Sequence, residues 1–309
     1  MTRGENALVR WLRQRLVPDA RRVPIGIGDD MAAVRLDGSL VTITADMLLD
    51  GVHFETSRHD YQAIGYKAIA CSLSDCAGMG CEPRAAIVSV ALNREMVIED
   101  VQQLYEGMSA VAESFGCAIV GGDTTSWPSP LAIDVAMLAE PMNPRGPIPR
   151  SGAMCGDTIF VSGSLGGSLA GKHLEFTPRL ALARRLADEP GLHAMMDITD
   201  GLSMDLDRLC EASSCGAELV AKQLECVISD AARTMSKEDG RPTLEHAFSD
   251  GEDFELLVVG DESLKAEDLG LHPVGRILER GASSDTAMWF IDAAGTSRPL
   301  EPYGFEHFT

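Results

Sequence analysis

Residues 66–83 read YKAIACSLSDCAGMGCEP. The stretch 61–79 predicts one long helix made mostly of small side chains, and 85–92 predicts a buried strand directly after it. Asp75 falls inside that Ala-rich helix. A carboxylate there is costly to bury unless a cation or hydrogen-bond donors surround it. Cys71, Cys76 and Cys81 recur every five residues, a spacing that scatters them around a helix. None of the eight cysteines forms a Cys-x-x-Cys pair, so neither a zinc site nor a thioredoxin-like motif is indicated. Buried free thiols in a reducing cytosol are the expectation.

Working outward, an amphipathic helix is expected over 5–16, with Leu8, Leu12 and Leu16 on one stripe. A β-rich run over 40–44 ends at Asp46. A second long helix over 99–115 carries Val101, Leu104, Met108 and Val111 on one face. Strands are expected over 117–120 and 131–138. Pro141, Pro144, Pro147 and Pro149 then fall within nine residues, with Gly146 among them, which reads as an extended connector. The expected organisation is a first domain over 1–140, a connector over 141–153 and a second domain over 154–309. In the second half, strands are expected over 157–162, 254–259 and 271–277, and helices over 168–176 and 202–212. Strands and helices mix without strict alternation, so the fold class is α+β.

The chain has 309 residues, 45% of them hydrophobic, which is enough for real cores; only 5% are aromatic, so those cores rest on aliphatic side chains. A net charge of -21 argues against nucleic acid as partner, because phosphate backbones are bound with excess Lys and Arg. Most of that charge reads as a solvated surface. Residues 1–10 carry no apolar run, and no window reaches the length of a membrane-spanning helix. A cytoplasmic protein without membrane partners is the expectation.

Residues 166–173, GGSLAGKH, nearly fit the phosphate loop G-x-x-x-x-G-K-[ST]. That loop needs a hydroxyl in its last position to ligate magnesium, and His173 offers imidazole, a poor partner for a hard cation. A glycine-rich turn opening a helix suffices.

Six acidic motifs remain: GIGDD (26–30), TITAD (42–46), LSD (73–75), GGDTT (121–125), MDITDGL (196–202) and SDGEDFEL (249–256). Each has a plain reading. Gly-Asp-Asp occurs in ordinary turns, Thr-x-Asp closes strands, and Asp197, Thr199 and Asp200 suit a helix N-terminus. The paired glycines of GGDTT suit a close backbone approach to a phosphate. Together the motifs supply carboxylates at strand and helix ends, as several magnesium ions bridging a triphosphate require.

GIGDD, TAD followed by GVHF, the stretch 66–83, GGDTT, RSGA-x-x-GD, MDITDGL and DGEDFEL occur in one order. That order resembles the thiamine-monophosphate kinase family, within the superfamily that includes aminoimidazole ribonucleotide synthetase and selenophosphate synthetase. The match runs from Gly26 to the terminal GFEHF. The resemblance implies a two-domain aminoimidazole ribonucleotide synthetase-like fold, with an N-terminal α/β dimerisation domain and a C-terminal α+β domain. It implies a homodimer that uses ATP and several Mg2+ ions to convert thiamine monophosphate into thiamine diphosphate by direct in-line transfer. Asp30, Thr44, Asp46, Asp75, Asp123, Asp197 and Asp200 are the implied magnesium ligands. Tyr105, Gly122, Asp123, Arg150 and Thr199 are the implied ATP contacts, and His53, Glu252 and Phe305 the implied substrate contacts.

The chemistry fits those residue types. A phosphate monoester acceptor is largely ionised at neutral pH, so no general base is required, and the work left is positioning and charge neutralisation. Arg150 could meet a phosphate bidentately or close a salt bridge in the connector. His53, Phe305 and Tyr105 each have a packing role as the alternative. The chain departs from the family at Ala45, where Thr or Ser is usual, which leaves only a backbone carbonyl as ligand. It departs also at Thr199, which keeps the hydroxyl of the usual Ser, and at Asp250, where glycine is usual. The other readings are a superfamily member with a different acceptor and a catalytically silent nucleotide-binding protein. The first cysteine is Cys71, which disfavours a selenophosphate synthetase carrying a reactive Cys near its N-terminus.

Overall fold

The structure is a computed structural model that describes residues 5–280 and 288–306. The first half contains α1 (Glu5–Arg15), β1 (Ala32–Leu36), β2 (Ser39–Leu49), α2 (Tyr61–Gly78), β3 (Cys81–Asn93), α3 (Ile98–Ser114), β4 (Ala118–Trp127) and β5 (Ala132–Pro141). Its strands form one sheet in the order β1-β2-β5-β3-β4, antiparallel except for the parallel pair β3/β4 that α3 connects.

The second half opens with β6 (Thr158–Val161), α4 (Lys172–Glu175), α5 (Leu180–Leu186), β7 (Leu192–Ile198), α6 (Leu202–Ser213) and β8 (Gly216–Val220). It continues through α7 (Ala221–Leu224), α8 (Asp230–Asp239), α9 (Thr243–Ser249), β9 (Glu255–Gly260), α10 (Ala266–Leu269), β10 (His272–Leu278), β11 (Met288–Ile291) and β12 (Ser297–Pro299). The seven strands pair in the order β12-β11-β8-β10-β6-β9-β7. Two sheets of mixed direction with helices make a two-domain α+β fold.

Helix α2 explains how the halves meet. Twelve of its eighteen residues are buried, on every side of the helix. A helix buried all round belongs between layers and not on a surface. It packs on β2, β3 and β5 of the first sheet and on β7 and β9 of the second. Its core continues through Phe160, Met195, Leu256 and Val258 of the second half. The small side chains of 61–79 permit that close packing from both sides.

Several expected elements differ in extent. Strand β2 continues five residues past Thr44, so Asp46 lies within the strand and not at its end. Strand β4 runs through the whole of GGDTT, and as the sheet edge it is exposed along most of its length. The helix expected over 168–176 is broken: a 3-10 turn over Ser168–Ala170 stops at Gly171, whose φ of 139° no helix accommodates, and α4 follows. Helix α1 forms, but its stripe is not covered: Leu8 is 43% and Leu16 55% exposed. The last part of GFEHF, from residue 307, lies outside the described residues.

Candidate active site at the junction of the two halves

Three polar residues of α2 reach two carboxylate motifs from distant parts of the chain, TITAD and MDITDGL. Ser72 Oγ donates to Asp46 Oδ2 at 2.6 Å. Ser74 Oγ donates to Asp197 Oδ2, and Asp75 Oδ2 accepts from Thr44 Oγ1. One turn on, a Cβ at Gly78 would stand 2.4 Å from Asp30 Oδ2 and 2.9 Å from the Asp197 amide nitrogen. Glycine is therefore what lets GIGDD and MDITDGL close on the helix end. The helix gathers Asp30, Asp46, Asp75 and Asp197 into one buried acidic group.

The electrostatics of that group are unfavourable by themselves. Burial raises the carboxyl pKa of all four. For Asp75 the neighbouring charges of Asp46, Asp197 and Asp30 raise it further, with the Thr44 hydroxyl a weaker opposing influence. For Asp197 the charge of Asp30 does the same. For Asp30 the guanidinium of Arg150 opposes burial, yet Asp30 Oδ2 is buried with no hydrogen-bond partner. Groups of like charge held this close together call for a cation.

Arg150 sits beside this group. Its Nε and Nη2 both donate to Asp30 Oδ1, the former at 3.0 Å, and its backbone N–H donates to Asp29 Oδ1 at 2.6 Å. Burial disfavours its charge, but Asp30 more than compensates and the guanidinium pKa stands above its ordinary value. Arg150 thus closes a salt bridge to Asp30, and it lines the cleft.

The cleft encloses about 770 Å³. Asp46, Asp75, Arg150, Thr199 and Asp200 line it, together with Ala45, His53, Glu252 and Phe305. Thr199 and Asp200 do not cap α6, whose N-cap is Gly201 with no side-chain bond. The reverse holds: Asp205 Oδ2 accepts from the Thr199 and Asp200 amides at 2.9 and 3.0 Å, and Arg208 Nη1 bridges Asp200 and Asp205. Asp205 and Arg208 were not singled out from the sequence. Their spacing of three on a helix face carries only a generic ion-pair signal.

Also on the cleft wall, His53 Nδ1 accepts from the Leu49 amide at 3.0 Å. Glu252 is held in the left-handed region at φ 52°, with its N–H donating to Thr199 O at 2.6 Å. Phe305 donates its amide to Asp200 O at 3.1 Å. Lys67, a second residue passed over in the sequence, is fully buried and bonds both His53 O and Glu252 Oε1.

Three expected ATP contacts, Tyr105, Gly122 and Asp123, do not line the cleft, and of the expected magnesium ligands Asp30, Thr44 and Asp197 do not line it either. Tyr105 is partly buried on α3 against the first core. Gly122 is paired with Val88, and a Cβ on it would meet Val88 O at 1.7 Å. The close approach that demands glycine there is to strand β3. Asp123 falls in the cross-sheet row Met47, Asp134, Ser89, Asp123. It thus lies three strand spacings, roughly 14 Å, from Met47.

The glycine-rich turn is also accounted for. The Gly166 N–H donates to Asp253 and the Gly167 N–H to Asp250 Oδ2 at 2.9 Å, so the amides a phosphate loop would offer are engaged. Asp250 further accepts from His246 and Arg241. The charge that departs from the family pattern is consumed in clasping this turn.

Among the described residues no three His, Cys, Asp or Glu side chains converge as a preformed metal cage would require. Magnesium does not need one, since it takes one or two carboxylates and completes its octahedron with phosphate oxygens and water. The hard oxygen donors, their mutual repulsion and the orphaned Asp30 Oδ2 all fit such an ion. No helix among the described residues is long and apolar enough to cross a membrane.

Residues 28–140 match the family described as AIR synthase related protein, N-terminal domain, and residues 156–284 match its C-terminal domain. A thiamine-monophosphate kinase of Rhodopirellula baltica is 38% identical over 98% of this chain and 97% of its own length. That of Aquifex aeolicus is 30% identical over 91% of this chain and 92% of its own. A solved structure described as AaThiL complexed with AMPPCP and TMP superposes with a TM-score of 0.85 at 27% identity, covering 100% of this chain and 99% of that one. The E. coli hydrogenase maturation protein HypE shares the fold at 21% identity, with a TM-score of 0.71 over 88% of this chain and 91% of its own. The order of the acidic motifs, the cleft they build and these likenesses agree: the chain belongs to the thiamine-monophosphate kinase family of the AIR synthase-like superfamily.

Proposed function

We propose that this protein transfers the γ-phosphoryl group of ATP to the phosphate of thiamine monophosphate, releasing ADP and thiamine diphosphate. The observation that carries the reading is the single cleft that Asp46, Asp75 and Arg150 line together with His53, Glu252 and Phe305. An oxygen of the acceptor phosphate attacks the γ-phosphorus, and the bond from that phosphorus to the β–γ bridging oxygen breaks in line, its electron pair leaving with ADP. The acceptor is already an anion, so no residue has to remove a proton. Asp30, Asp46, Asp75, Asp197 and Asp200 would hold Mg2+, with Thr44 supporting Asp75 and Ala45 offering its carbonyl. When bound, the ions neutralise the phosphate oxygens and hold donor and acceptor in line. Arg150 and Thr199 orient the nucleotide phosphates, while His53, Glu252 and Phe305 receive the thiamine moiety.

Homodimerisation is part of the reading. Ile43, Met47, Ile87, Val120 and Leu138 leave the first sheet with an exposed apolar face, which a second copy would cover. That pairing is also how Asp123 and Gly122, remote from the cleft of their own chain, would serve a nucleotide site. Tyr105 is assigned to adenine or ribose by resemblance. The domain limits 1–140 and 154–309 are supported by sheet membership, and a cytoplasmic location by cysteines left as free thiols.

The test is a direct assay with purified protein, ATP, magnesium and thiamine monophosphate, products being separated by chromatography. Thiamine diphosphate and ADP in equal amounts, abolished by EDTA, support the reading. ADP without thiamine diphosphate overturns the acceptor.

A further inference from the structure

We infer that Lys67 is a positioning residue for the thiamine end of the cleft, its buried ammonium holding Glu252 of the second domain against the His53 loop of the first. This rests on the proposal that Glu252 and His53 face the substrate.

The Lys67 side chain is 0% exposed, and its Nζ lies 2.5 Å from His53 O and 2.7 Å from Glu252 Oε1. A fully buried ammonium is retained only where partners compensate its desolvation, and here both partners belong to the cleft wall. His53 lies in the turn after β2, and Glu252 in the loop before β9.

The rest of the geometry shows what the tether does. Lys67, Cys71 and Asp75 stand four residues apart on one face of α2, and Cys71 and Asp75 line the cleft. One helix face thus carries the thiamine-end tether and, about 12 Å along, a carboxylate of the phosphate end. Glu252 and Phe254 both have left-handed backbones, at φ 52° and 50°, which side chains with a Cβ adopt only when held. Glu252 N–H to Thr199 O and Phe254 N–H to Ile198 O hold the main chain. Lys67 holds the carboxylate, and it engages Oε1 alone. Glu252 keeps capacity for a ligand that is cationic or donates hydrogen bonds, which is the chemistry of the thiazolium and aminopyrimidine rings.

The test measures thiamine monophosphate affinity by titration calorimetry, and both KM values by steady-state kinetics, for wild type, Lys67→Met, Glu252→Gln and the double variant. Calorimetry reads the tether even where turnover is absent, so a failed reaction assignment is told apart from a failed tether. The expected result is at least a tenfold weaker Kd and higher KM for thiamine monophosphate in Lys67→Met. The KM for ATP should stay within twofold, and the double variant should be no worse than Glu252→Gln. Additive losses, an equal loss for ATP, an unchanged Kd, or a wild type that does not bind thiamine monophosphate would overturn the inference. If Lys67→Met does not fold, the double variant, which leaves no unpaired buried charge, is compared with Glu252→Gln. Equal affinities support the tether, and a further loss refutes it.

Discussion

Gly78→Ala tests the idea that one helix end holds the acidic motifs in register. The added Cβ would meet Asp30 Oδ2 at 2.4 Å and the Asp197 nitrogen at 2.9 Å. Real Cβ atoms essentially never come within 3.0 Å, so the carboxylate must retreat by roughly 0.6 Å or more. It has little freedom to do so. The Asp30 side chain is 0% exposed and held by Arg150, and the second obstacle is backbone of β7. Overpacking of this kind costs about 1–3 kcal/mol, against which an alanine in place of glycine returns at most about 1 kcal/mol of helix propensity. With the full propensity returned, a net loss of roughly 0–2 kcal/mol is the expectation. The functional effect should be larger, because displacing a reacting-site group by about 1 Å can cost ~100-fold in rate. Turnover by ADP release, with urea unfolding on the same samples, checks both. A variant with wild-type turnover and unchanged magnesium dependence would refute the claim that Asp30 is placed by this contact.

Three further expectations follow from the same residues. Asp46→Asn should lower turnover by two orders of magnitude or more while circular dichroism stays unchanged, and a rate near wild type would remove Asp46 from the metal set. Ser74→Ala takes the hydroxyl donor from buried Asp197 and should destabilise by about 1–3 kcal/mol, read as a lower urea midpoint. Two buried groups set opposite pH trends. Burial lowers His173 to about 4, so the unfolded chain binds its proton first and stability is lost as pH falls from about 6.5 towards 4. Burial raises Asp253 to about 8, so its contribution declines as pH rises from about 4 to 8, and Asp253→Asn should flatten a melting-temperature profile across that window. A variant profile parallel to wild type between about pH 4 and 8 would count against it.

The long elements were legible in the chain because their patterns are local. The small-residue helix over 61–79 appears as α2, and the strand over 85–92 as the middle of β3. The helix over 99–115 appears as α3. The order of acidic motifs was legible too, and with it the family. Strand limits were not, since β2 and β4 extend through their motifs by pairing with β5 and β3, partners far along the chain.

What only the tertiary structure decided is which polar groups meet. Each motif names its carboxylates, but nothing local says that Ser72 and Asp75 reach β2 while Ser74 reaches β7. Nor does it say that Asp205 and Arg208 brace Asp200, or that Lys67 joins His53 to Glu252. Nor does it say that a Cβ at Gly122 would collide with strand β3, or that the turn over 166–173 is clasped by Asp250 and Asp253. The reason is physical. Hydrophobic periodicity is written residue by residue along the chain, whereas the partner of a buried charge is chosen by the packing of elements distant in sequence, where an unpaired charge is too costly to keep.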